Sequence, residues 1–264
     1  MTKPSFDLRD FKIPVSSIAP QEKFRTRQGD LLSYRFYPAW SEDLVILYHG
    51  VGGDSRYMSL LASALSKQGI ANVVTPDFRC HGASLGSSDI IPPNQLEIDL
   101  EELIIHLKMQ RSFSRMTLAG HSLGGSFTLR ISVSELRYQF AEFVSLAPYL
   151  PPVYKASLAG FGGWIQVEPD GGFSLNYPEI LRTGEEKTHY SPEFLKAAVA
   201  PDSLLQDLQN LKPHVSVMTG DKDEMVSCVR HKEIFDGVIS RFVIAEGARH
   251  ISLVSKADPV LSLF

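Results

Sequence analysis

The stretch Thr117-Leu118-Ala119-Gly120-His121-Ser122-Leu123-Gly124-Gly125 carries a short apolar run into a glycine, a serine two residues on and a second glycine two beyond it. Apolar-periodic sequence follows to about Glu135. A buried strand that turns at once into a helix produces this G-x-S-x-G pattern, with the serine at the turn. Small neighbours are what permit so sharp a bend, which holds Ser122 in a strained conformation with Oγ projecting and the start of a helix behind it. Ser122 is therefore the candidate nucleophile. A serine hydroxyl is a poor nucleophile at neutral pH and needs a base, and the base needs an orienting carboxylate.

On either side of the elbow the chain alternates apolar runs with helical patterns. Phe24 and Leu31 to Phe36, separated by Gln28-Gly29-Asp30, read as a β-hairpin. Leu44 to Tyr48, Asn72 to Thr75, Met116 to Ala119, Phe143 to Ala147, Val215 to Thr219 and Phe242 to Ala245 read as strands buried on both faces. Between the early ones, Tyr57 to Gln68 has Leu60, Leu61, Ala64 and Leu65 on one face. Leu96 to Gln110 spaces Leu96, Leu100, Leu103 and Leu107 helically and directs Glu97, Glu101 and Glu102 outward. Parallel strands need crossovers and helices supply them, so the expected class is α/β with a doubly wound, mostly parallel sheet. One domain spans residues 1–264.

Most strand-to-strand intervals suit a single crossover, but about 70 residues separate Phe143 from Val215, too many for a bare connection. An insertion after the sixth strand, residues 150–212, opens with Pro151-Pro152 and is rich in glycine and aromatics, among them Gly160, Phe161, Trp164, Phe173 and Tyr177. Such an excursion from the C-terminal end of a strand is expected to cover a cleft as a small lid.

Composition narrows the function. The 44% hydrophobic and 21% charged content is ordinary for a globular chain, and at a net charge of -4 the basic residues are scattered, which argues against nucleic acid as a partner. Cys80 and Cys228 are too few for a disulfide framework. No apolar run has signal-peptide or membrane-spanning character, so the expectation is a cytoplasmic protein without a transmembrane segment. No pair of histidines has metal-ligand spacing with a carboxylate, and neither a metal nor another cofactor is expected. Oligomeric state leaves no trace in the sequence.

The partners of Ser122 should lie at the C-terminal ends of later strands, where such a sheet opens a crevice. Val215 to Thr219 runs into Gly220-Asp221-Lys222-Asp223-Glu224-Met225-Val226, and Phe242 to Ala245 runs into Glu246-Gly247-Ala248-Arg249-His250. The order serine, aspartate, histidine suits this architecture. Of eight histidines, only His250 follows the last apolar strand.

With these pieces in place the chain, from about Phe24 onward, resembles the α/β-hydrolase superfamily. His49-Gly50-Val51-Gly52-Gly53 looks like its oxyanion loop. Asp77-Phe78-Arg79-Cys80-His81-Gly82-Ala83-Ser84 resembles the D-x-R-G-H-G-x-S segment of the monoacylglycerol lipase, lysophospholipase and carboxylesterase branch, with Cys80 in place of the usual glycine. Gly220 to Val226 is similar to that branch's G-x-x-D-x-x-V loop, a register that selects Asp223 over Asp221 and leaves Asp221 and Glu224 as loop-shaping or surface groups. Gly247 to His250 resembles its G-x-x-H turn.

The resemblance implies a Ser122–Asp223–His250 triad, oxyanion donors at the backbone N–H groups of Val51 and Leu123, and hydrolysis of a small-molecule carboxylic ester with an apolar acyl group through an acyl-enzyme. The same triad could serve a thioesterase, a peptidase or amidase, or a carbon–carbon bond hydrolase. A non-catalytic ligand-binding protein on the same fold is the alternative from another class. His49 and His81 are expected to hold their loops by hydrogen bonds, His121 to fill the variable elbow position, and His106, His189, His214 and His231 to be surface or satisfied polar residues.

Overall fold

The computed structural model describes residues 13–84, 88–150, 165–176 and 186–264. Its strands are β1 (Gln21–Arg25), β2 (Leu31–Tyr37), β3 (Asp43–Tyr48), β4 (Asn72–Pro76), β5 (Arg115–His121), β6 (Glu142–Leu146), β7 (Ile165–Val167), β8 (Phe173–Leu175), β9 (His189–Tyr190), β10 (Val215–Gly220) and β11 (Arg241–Ala245). The helices are α1 (Ser59–Lys67), α2 (Gln95–Gln110), α3 (Leu123–Ser132), α4 (Pro192–Ala198), α5 (Leu204–Leu211), α6 (Cys228–Phe235), α7 (Ser252–Ser255) and α8 (Asp258–Leu261).

Eight strands form one sheet in the order β1-β2-β4-β3-β5-β6-β10-β11. The hairpin β1–β2 and the β2–β4 pair are antiparallel, and every pair from β4 to β11 is parallel. Both faces are covered, which is why the central strands read as unbroken apolar runs. Along β3, Leu44, Ile46 and Tyr48 join the core built with α2 and α3, while Val45 and Leu47 join the opposite core with α1 and α7.

Three sequence expectations shift in detail. On α1, Leu61, Ala62 and Leu65 are buried while Leu60 and Ala64 are only half-buried, and Met58, at the end of the preceding 3₁₀ turn Ser55–Met58, is seated in the core. On α2 the four leucines are buried as expected, but Glu102 is not outward. It is 8% exposed and accepts the backbone N–H of Arg27 at 2.9 Å, which closes the β1–β2 turn onto the helix. Glu97 is half-covered, paired with Arg130 at 2.7 Å.

The sequence shows periodicity in the insertion only at about Pro192 to Val199, where α4 lies. Ahead of it β7, β8 and β9 form a small antiparallel sheet, and α5 follows it. Phe173, Tyr190, Phe194, Leu204 and Leu208 enter the same core as α2 and α3. At about 2 kcal/mol for each fully buried apolar side chain, these contacts bind this part of the insertion to the sheet as firmly as a crossover helix. Pro151, Pro152, Gly160, Phe161, Trp164 and Tyr177, named above for the lid, lie outside the described residues. Among the described residues no helix is long and apolar enough to cross a membrane, and no group of three or more metal-ligating side chains gathers.

Candidate active site

Four strands deliver the site at their C-terminal ends, with β6 between the second and third of them: β3 leads to His49–Gly53, β5 to Ser122, β10 to Gly220–Val226 and β11 to the loop ending at His250. At the elbow Ser122 has φ 55° and ψ -112°, a conformation disfavoured for a residue with a side chain. Packing over-determines it. The Ser122 N–H donates to Leu146 O at 2.9 Å, and the Ser122 carbonyl accepts from Ser126 N–H at 2.9 Å and from Tyr149 N–H at 3.1 Å. A Cβ on Gly120 would stand 2.2 Å from Gly124 O, and one on Gly124 would stand 2.5 Å from Tyr48 O. The two glycines of the motif therefore let α3 approach β5 and β3 closely enough to hold the bend.

The loops after β10 and β11 are laced together. Asp221 N–H donates to Ala245 O at 3.2 Å and Lys222 N–H to Ala248 O at 3.0 Å. This brings Asp223 to His250, whose Nδ1 lies 2.9 Å from Oδ2 and 3.1 Å from Oδ1. The Asp223 side chain is 0% exposed and that of His250 5%, whereas Asp221 stands at the surface. Oδ1 of Asp223 also accepts the N–H groups of Met225 and Val226 at 2.8 and 2.9 Å. Burial acts to raise the Asp223 carboxyl, but the neighbouring His250 and these hydrogen bonds outweigh it and hold the group below the ordinary carboxylate value.

Ser122, His250 and Val51 line one cleft of about 320 Å³, mouth included, with Tyr149, Ile165, Phe173, Met225 and Val226. Its wall is apolar, and β7 and β8 of the insertion supply Ile165 and Phe173. Among the described residues no hydrogen bond joins Ser122 Oγ to His250.

In the His49–Gly53 loop, Gly53 N–H donates to Gly50 O at 3.4 Å and Gly52 sits at φ 68°, the left-handed region a turn of this kind requires. A Cβ on Gly50 would lie 3.1 Å from Ser122 Cβ, so the loop runs directly against the serine. Val51 N–H and Leu123 N–H, the latter at the first turn of α3, have no acceptor among the described residues.

His49 and His81 hold their loops as expected. His49 Nδ1–H donates to Gly50 O at 2.8 Å, and its Nε2 accepts Phe78 N–H at 3.1 Å. Asp77 accepts Ser55 N–H at 2.6 Å and Ala83 N–H at 3.0 Å, and Arg79 pairs with Asp99. Cys80 has φ 61°, which explains why glycine is usual there.

Two residues make contacts with the His250 loop that the sequence did not specify. His121, the variable elbow residue, donates from Nε2 to the backbone carbonyl of His250 at 3.0 Å, accepts the Tyr57 hydroxyl at Nδ1 at 2.9 Å, and packs its ring 4.5 Å from that of His250. Burial first, then the nearby His250, pushes its pKa well below the usual histidine value. Glu224, read as a loop-shaping or surface group, shapes the neighbouring loop: its Oε2 accepts His250 N–H at 3.2 Å and lies 3.7 Å from Arg249 Nε. Periodicity signals neither, because both act on the backbone of a loop distant in sequence. His231 is fully buried, with its ring nitrogens against Ser227 O and Pro148 O.

Comparison with known proteins accords with this architecture. A family model described as serine aminopeptidase, S33, matches residues 41–167. An uncharacterized protein of Mycobacterium tuberculosis is 28% identical over 132 residues, a match that takes in 50% of this chain and 35% of that one. The match thus extends over about a third of that relative's length. A thermophilic esterase from Thermogutta terrifontis superimposes with a TM-score of 0.66 at 19% identity, covering 93% of this chain and 96% of that chain. A monoacylglycerol lipase of Paleococcus ferrophilus gives a TM-score of 0.68 at 17% identity, covering 88% and 97%. At such identities the likeness is one of fold.

Proposed function

The chain is an α/β-hydrolase by fold, and on that premise we propose that it is a serine hydrolase of small carboxylic esters with an apolar acyl group, acting through Ser122, Asp223 and His250. The reading is carried by the buried contact of the Asp223 carboxylate with Nδ1 of His250, on an imidazole that shares an apolar cleft with Ser122. Nδ1–H donates to Asp223, which leaves Nε2 as the basic edge of the ring.

In the proposed reaction, Nε2 takes the Ser122 hydroxyl proton as Oγ attacks the ester carbonyl carbon, through a hydrogen bond that tightens in the substrate complex. Negative charge gathers on the carbonyl oxygen and is met by the N–H groups of Val51 and Leu123, each worth about 3 kcal/mol by analogy with other oxyanion donors. The N-terminal end of α3 adds a favourable dipole. His250 returns the proton to the leaving alkoxide, and the acyl group stays on Ser122. Water, deprotonated by the same nitrogen, then attacks the acyl-enzyme, and His250 passes that proton to the departing Ser122 oxygen as the acid is freed. The esterase and monoacylglycerol lipase among the structural neighbours support the ester as substrate class.

A second reading, amide cleavage at a peptide N-terminus, is favoured by the description of the matching family model. Relative rates on p-nitrophenyl esters and aminoacyl p-nitroanilides decide between the two. For catalysis itself, a fluorophosphonate is expected to label the wild-type protein and not Ser122→Ala. Folded wild-type protein that resists labelling and leaves p-nitrophenyl esters intact would instead favour a ligand-binding protein on the same fold.

A further inference from the structure

Tyr190, on β9 of the insertion, is fully buried, its ring 4.8 Å from that of Phe173 and 5.6 Å from that of Phe194. Its hydroxyl accepts the Gly52 N–H at 2.6 Å across 138 residues of sequence, and lies 2.8 Å from Nε2 of His81. The direction of the second bond follows from the far side of the imidazole. Nδ1 of His81 faces the Arg79 carbonyl at 2.9 Å, and a carbonyl only accepts, so that nitrogen carries the hydrogen. Burial, with His49 nearby, keeps the ring neutral by holding its pKa well below the usual value. Nε2 is then an acceptor, Tyr190 donates to it, and a lone pair of the hydroxyl is left for Gly52.

Peptide planarity turns these bonds into a constraint on the oxyanion loop. Gly50 O and Val51 N–H share one peptide plane, held by His49 Nδ1–H and Gly53 N–H on that carbonyl. Val51 O and Gly52 N–H share the next plane, held by the Tyr190 hydroxyl. With Gly52 able to occupy both signs of φ, the second plane has little intrinsic resistance to rotation, and the tyrosine supplies it.

Resting on the reading of Val51 as an oxyanion donor, we infer that Tyr190 is a positioning residue: its hydroxyl holds the Val51–Gly52 peptide, which hinges at the Val51 Cα on the plane that carries Val51 N–H, so that the torsions of Val51 stay fixed and its N–H stays aimed at the developing charge. The insertion thereby supports the reaction itself as well as lining the cleft.

Tyr190→Phe keeps the ring and removes the clamp. On p-nitrophenyl acetate its kcat is expected to fall about tenfold with KM within about twofold, and binding of a trifluoromethyl ketone, which forms a tetrahedral adduct, to weaken by the same factor as kcat/KM. Ser191→Ala is the control for instability: it removes the bond from Ser191 Oγ to Asp89 O and the N-cap of α4 without touching Gly52. That variant is expected to keep its kcat within about twofold at a comparable loss of Tm. Unchanged kcat and ketone affinity in Tyr190→Phe, or an equal kcat loss in Ser191→Ala, overturns the inference. Fluorophosphonate labelling separates the two failures. A labelled wild type with an equally fast Tyr190→Phe defeats the clamp alone, whereas an unlabelled wild type defeats the proposed function and the clamp together.

Discussion

Asp221 and Asp223 stand two residues apart, yet their surroundings differ in every respect that matters to an orienting carboxylate. Asp223 is sealed from solvent and faces Nδ1 of His250, while Asp221 stands at the surface, 4.0 Å from Lys222. Asparagine at position 223 fits the same space but turns an N–H₂ or a weaker acceptor toward the ring, which favours the tautomer with hydrogen on Nε2 and blunts the base. Asp223→Asn is therefore expected to lower kcat by about 10⁴ with an unchanged circular dichroism spectrum, by analogy with serine proteases. Asp221→Asn should stay within a few-fold on the same p-nitrophenyl ester. If the surface aspartate proves the damaging one, the loop register is misassigned. His121 and Glu224 add to this picture: His250 is held by Asp223 at its ring and by His121 and Glu224 at its backbone, and that second set of contacts has no motif.

Among the elements, α3 shows what the sequence made legible and what it withheld. Apolar runs marked β3, β4, β5, β6 and β10 because both sheet faces are covered there, β11 reads alike although it is an edge strand with Ile244 exposed, and the leucine spacing of α2 marked its buried side. β7, β8 and β9 gave no signal, since strands of two or three residues are too short for alternation to register. Glu102 looked like a solvent-facing carboxylate because helical spacing reports the face of a helix, whereas its burial depends on the β1–β2 turn folding over it. The motif glycines, by contrast, were readable as a demand for space, and the distances put a scale on that demand. A methyl on Gly124 would press on Tyr48 O at 2.5 Å and His49 O at 2.7 Å, both main-chain atoms that have little freedom to yield. Gly124→Ala is expected to destabilise by about 3 kcal/mol, the upper end for overpacking. In a chain of this size that is a fall in Tm of about 6–12 °C. Activity should fall alongside, because the strain displaces the elbow. Thermal unfolding at matched pH checks it, and a Tm within a degree of wild type would mean that α3 slides outward at no cost.

At the scale of the molecule, the doubly wound sheet gathers, besides His250, four buried histidines among the described residues, His49, His81, His121 and His231, none more than 1% exposed. In His49, His81 and His121 one ring nitrogen donates and the other accepts, as a neutral imidazole requires, while His231 faces two carbonyls and as a neutral ring donates to one of them. In all four, burial is the leading cause of a pKa below the usual histidine value, His81 and His121 furthest. The unfolded chain takes up these protons near pH 6.5 and the folded chain does not, so the unfolded state binds more protons just below that value. Stability from the neutral rings is thus fully present above about pH 6.5 and is lost as pH falls through the lower folded values, by up to about 1.4 kcal/mol per pH unit for each ring. Asp223 adds nothing in this window, since its depressed pKa acts only below about pH 4. The urea midpoint should accordingly be flat from pH 8 to 7 and decline below pH 6.5 with a slope steeper than one proton allows. A midpoint that does not move between pH 7.5 and 5.5 would mean these rings protonate as readily in the folded chain as in the unfolded one, and the loops that carry Ser122, Val51 and His250 would have to be held by something other than neutral imidazoles.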